Sequence, residues 1–189
     1  MLLSKPELVQ LAVTIASDNG LDAALICAHI DVRTRWDSGF AVSSAISYLV
    51  RQSFPDPMDS EHRATQWGLM AIQGEFARQD GYTQPLPELL APGRNLQMGC
   101  QILKRLLGMK PDPVEAAVHA LCSWNRENNQ EMARQTLGKL EAYQELLRQM
   151  PSELSTFQHD GNSLLPEYSQ IQGNDLLEVG STTHTRMRP

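Results

Sequence analysis

His29 and Arg33 stand four positions apart in the chain, a spacing that places an imidazole and a guanidinium on one face of a helix as a polar pair. Trp36, Trp67 and Trp124 are the three indoles. Flat aromatic faces stack on pyranose rings, so these three could line a sugar cleft; they serve equally well as core or interface aromatics. Spacings that would hold a metal are missing: there is no His-x-x-x-His, no Cys-x-x-Cys and no Asp- or Asn-rich calcium loop. A glycine-rich phosphate loop and a Gly-x-Ser-x-Gly elbow are missing too. No metal or cofactor is expected. A lone histidine on a helix is ordinarily exposed or satisfied by a neighbour, and His29 is expected to be one of these.

The elements that must position these residues are helical. Ser4-Lys5-Pro6-Glu7 fits a capping box with proline in the first turn, opening a helix that Asp18-Asn19-Gly20 stops. Asp22 caps a second helix, dense in apolar residues from Leu25 to Ile30 and therefore central. After Trp36 the pattern weakens, and Phe54-Pro55-Asp56-Pro57 marks a loop. Helical periodicity returns over residues 68 to 79, again after Pro92, again after Pro113, and last through Ala133, Leu137, Leu140, Tyr143 and Leu147. No alternating run is long enough for a strand, so residues 1–150 read as one all-α domain. Residues 151–189 are rich in Ser, Thr, Gln, Asn and Gly, with short apolar islands at Leu164-Leu165 and Leu176-Leu177, and read as an extended, irregular tail.

Composition narrows the function. The 189 residues carry 16 Lys and Arg against 22 Asp and Glu, a net charge of −6, which argues against nucleic acid or an anionic membrane as the main partner. Glu7, Gln10 and Asp18 interrupt the first apolar run, so no signal peptide is expected, and no stretch approaches the roughly 18 apolar residues of a membrane span. Cys27, Cys100 and Cys122 are an odd, widely spaced set, expected as reduced thiols.

Four fragments follow one another in order: Gly20-Leu21-Asp22 running to His29-Ile30, Trp36-Asp37, Trp67-Gly68-Leu69-Met70, and Leu121-Cys122-Ser123-Trp124-Asn125. In order and spacing they resemble the soluble-type lytic transglycosylases of lysozyme-like fold, particularly short bacteriophage forms. The resemblance covers residues 5 to 148. It implies a helical lysozyme-like domain that cleaves peptidoglycan glycan strands with one glutamate near the end of the second helix. That group must protonate the glycosidic oxygen and then, as carboxylate, take a proton from the sugar's own hydroxyl.

The resemblance places Arg33 where the glutamate belongs and Thr34 at the serine beside it. A guanidinium stays protonated, offers only donors and cannot carry a proton both ways. Asp31 lies two residues away and points to roughly the opposite side of the helix. Asp37 is expected to cap or turn the chain. Glu61 and Glu75 remain as fallback acids if the chain brings one into the groove. Met70-Ala71 stands where the family has Met-Gln, and Trp124-Asn125-Arg126-Glu127 where it has an aromatic followed by Asn and small residues. Long charged side chains there would hinder close approach of a ligand to the backbone. Tyr143 matches the final-helix tyrosine that reaches toward the acid. The expected substrate groove is thus Thr34, Trp67, Met70, Ala71, Trp124, Asn125 and Tyr143, with no catalytic residue in it.

These departures imply a catalytically degenerate transglycosylase-like protein, a pseudoenzyme serving as a structural component of a bacteriophage virion, in the tail, the baseplate hub or an internal layer. It would be assembled in the host cytoplasm and contact other phage structural proteins through residues 151–189. The alternative is an active, virion-associated lytic transglycosylase that cleaves murein through Glu61 or Glu75. A third reading is a glycan-binding module without turnover.

Overall fold

The computed structural model describes residues 3–43, 56–126 and 128–150. The tail expected over 151–189, the Phe54-Pro55 part of the expected loop, Glu127 and the side chain of Arg126 lie outside the described residues.

Helix α1 (Lys5–Asp18) begins as its capping box dictates, with the Ser4 backbone N–H donating to the Glu7 carboxylate at 2.7 Å. It buries Leu8, Val9, Ala12, Ile15 and Ala16. Helix α2 (Ala23–Thr34) is capped by the Asp22 carboxylate, which accepts from the backbone N–H of Ala24 at 2.7 Å and of Leu25 at 3.4 Å. Every residue from Ala24 to Ile30 is buried, because α1 covers one side of α2 and two C-terminal helices cover others. Each fully buried Leu or Ile contributes about 1.5–3 kcal/mol, so this helix is the axis of the core. It ends where Arg35 and Trp36 enter left-handed backbone, at φ 53° and 70°. The Asp37 carboxylate then accepts from Gly39 N–H at 2.9 Å and turns the chain, as expected.

A small antiparallel sheet departs from the all-α expectation. Strand β1 (Ala41–Ser43) pairs with β2 (Thr65–Trp67), and β2 with β3 (Ile72–Gln73). Between β1 and β2, Asp56 caps α3 (Pro57–Ala64), accepting from Met58 N–H at 2.9 Å, so the expected loop gives way to a helix at its last residue, Pro57. Residues 68 to 79 are not one helix either. Gly68 and Ala71 take φ of 64° and 48°, which turn β2 into β3, and only α4 (Gly74–Gln79) is helical.

A 3₁₀ turn (Leu86–Leu90) leads to α5 (Pro92–Leu107), whose inner face is Leu96, Met98, Cys100, Ile102, Leu103 and Leu106. Then come α6 (Pro113–Cys122), a 3₁₀ turn (Trp124–Arg126), α7 (Gln130–Gly138) and α8 (Leu140–Arg148). The last apolar stripe is therefore two helices broken at Lys139. The described part is mostly helical. Among the described residues, no helix is long and apolar enough to cross a membrane. Cys27, Cys100 and Cys122 are free thiols; burial pushes Cys27 and Cys100 up to about 12, so both behave as small apolar groups.

Candidate functional site

The β2–β3 turn is the point on which the expected groove residues converge. Its backbone carbonyls each accept a hydrogen bond, one after another. Asn95 Nδ2 donates to the Trp67 carbonyl at 2.8 Å, Ala71 N–H to Gly68 at 2.9 Å and Thr34 Oγ1 to Leu69 at 2.7 Å. Trp124 Nε1 donates to Met70 at 3.1 Å, and Asn125 Nδ2 to Ala71 at 2.7 Å. The same two asparagines also accept: Asn95 Oδ1 takes Met70 N–H at 2.8 Å and Asn125 Oδ1 takes Gln73 N–H at 2.9 Å. Gly68 is required here, since a Cβ on it would stand 2.3 Å from the Leu89 carbonyl and 2.5 Å from Asn95 Nδ2.

Thr34, Met70, Ala71, Trp124 and Asn125 are thus brought into one knot, and all five are buried. Trp67 and Tyr143 are buried as well but face elsewhere. Trp67 Nε1 donates to the His62 carbonyl at 2.9 Å and its ring meets the His62 ring edge-on. The Tyr143 hydroxyl accepts from Trp36 Nε1 at 2.9 Å, docking α8 on the end of α2. Burial raises the Tyr143 hydroxyl above the usual tyrosine range. All three indole N–H groups donate to protein atoms, and the three rings are core. Asn95, which sequence reasoning missed, is fully buried in the first turn of α5, and nothing local singles it out, since Gln97 offers a second amide two residues on.

Arg33 stands half-buried at the last turn of α2, next to Thr34. Its charge acts on His29, one turn earlier. The expectation for His29 needs correcting: it is only 2% exposed, and neither ring nitrogen has a hydrogen-bond partner among the described residues. Its ring packs edge-on against Trp124 with centroids 4.6 Å apart. Burial first and the Arg33 charge second depress its pKa to about 3, so the imidazole is neutral.

The carboxylates are engaged elsewhere or exposed. Asp31 accepts from Lys139 Nζ at 2.6 Å on the side of α2 covered by α8. Glu75 is held at both oxygens, by Arg63 Nη1 at 2.9 Å and Gln79 Nε2 at 2.8 Å. Arg63 also pairs with Asp59 at 2.7 Å, so Glu75 belongs to an ion-pair staple between α3 and α4. Glu61 is exposed on α3. Among the described residues no His, Cys, Asp and Glu cluster could hold a metal ion.

The knot supplies hydroxyl, amide and indole groups that already serve the protein's own backbone. Searches against protein-family models, curated proteins and solved structures found no match.

Proposed function

We propose that this chain is a lysozyme-like domain of the lytic transglycosylase type that has lost its catalysis and serves as a structural module of a bacteriophage particle. The observation that carries the proposal is Arg33. At the last turn of the central helix, where the resemblance requires a group that gives and retrieves a proton, the chain has a side chain that stays cationic.

The surroundings support the reading. Glu75 is held at one oxygen by a guanidinium and at the other by an amide, as part of the staple between α3 and α4. The five carbonyls from Trp67 to Ala71 each accept a hydrogen bond from within the protein, so this stretch is built into the core's own bracing. The apolar islands of residues 151–189 suit a segment that lies in a neighbouring protein's groove.

The test is release of soluble muropeptides from purified murein by the full chain. We expect none, and none from the Arg33→Ala variant. Turnover that a single Glu61→Gln or Glu75→Gln change abolishes would overturn the proposal in favour of a virion-associated enzyme. Sedimentation of the chain with intact particles through a density gradient tests the assembly half, and its absence from them would remove that half.

A further inference from the structure

His29 is an ionisable group that nothing above uses, and its setting is unusual for one. It lies on a helix buried without a break from Ala24 to Ile30, and neither ring nitrogen has a hydrogen-bond partner among the described residues. Among the described residues, the helices packed on α2 bury no carboxylate; the side chains of Arg126 and Glu127, next to Asn125 in the chain, lie outside them. Helix α1 buries Leu8, Val9, Ala12, Ile15 and Ala16; α7 buries Ala133 and Thr136; α8 buries Leu140 and Tyr143. Tyr143, the one titratable group among these, is taken by Trp36. On α2 itself, Asp31 is paired with Lys139, and Arg33 is the charge that acts on the imidazole. Against the ring lies Trp124, which with Asn125 holds the Met70 and Ala71 carbonyls and the Gln73 N–H.

We propose that His29 is an acid-sensitive latch: the contact between α2 and the Trp124–Asn125 segment holds only while the imidazole is neutral, and proton uptake releases that segment together with its grip on the β2–β3 turn. The chemistry is one of charge placement. A second proton would create a buried imidazolium one turn from a guanidinium and edge-on to an indole, with no hydrogen-bond acceptor for it among the described residues. Opening the segment to water removes that penalty.

The direction with pH follows from linkage. The folded imidazole resists protonation down to about 3, whereas an unfolded histidine takes its proton near 6.5. Between those values the unfolded or opened chain binds the extra proton, so stability falls as pH falls, by about tenfold in the unfolding equilibrium per pH unit.

The latch does not depend on the functional reading above. Its test is thermal and urea unfolding of the full chain from pH 7.5 to 4.5, wild type against His29→Leu. The variant, which removes the proton site and keeps an apolar side chain, is expected to lose that tenfold-per-unit slope between pH 6.5 and 5. An equal slope in both proteins overturns the latch. If His29→Leu does not fold, the imidazole Cε1–H resonance of the wild type decides. A signal that stays neutral until the native spectrum is lost supports the latch, and an ordinary midpoint near 6.5 in the folded protein overturns it.

Discussion

Asn125 holds two strands' worth of geometry with one amide. Its backbone lies at φ 52°, where asparagine is tolerated better than most residues, and its side chain both donates to Ala71 and accepts from Gln73 in a site 1% exposed. Asn125→Ala would leave a buried carbonyl and a buried N–H without partners, each costing about 1–3 kcal/mol. We expect a loss of about 3 kcal/mol, read as a lower urea midpoint with unchanged slope. The residue was visible in the sequence as part of a motif. Its role as a brace was not, because a bracing partner is set by residues some 50 positions away. His29 shows the same limit: spacing placed it near Arg33, but only the packing of Trp124 makes it a buried imidazole without a partner.

Helices were legible where their ends carry local chemistry. Ser4 with Glu7, and Asp22, each announce a start, and the structure forms those caps. Asp56 with Pro57 carried the same signal for α3, and the prolines around it masked it as a loop. The strands were not legible, since two or three residues are too few for an alternation to show. Residues 68 to 79 fit a helical spacing, yet Asn95 and Asn125 impose a turn that local preference alone would not choose. That turn makes a sharp prediction. Gly68→Ala meets both a left-handed φ and backbone at 2.3 Å, so it should cost about 3 kcal/mol or more and lower the melting temperature accordingly. Gly93→Ala, with open space around its added methyl, should be close to neutral by the same measurement.

Taken whole, the described core runs from Leu8 to Tyr143, with Leu147 and Met150 packed at its margin. A fragment of residues 1–150 is therefore expected to fold alone, with a helical circular-dichroism spectrum and one cooperative melt. A non-cooperative melt would show that the remaining 39 residues, 151 to 189, complete the core. The boundary expected at 150 rests on composition alone, because burial needs apolar residues and these become sparse there.

The partners that answer the carbonyls of Trp67, Leu69, Met70 and Ala71 lie 28 to 54 positions away in the chain, three of the four downstream. During synthesis the strands on either side of that bend leave the ribosome well before Asn125 does. A nascent chain keeps the bend unsealed until its C-terminal half arrives, so closure of the bend belongs to a late step of folding.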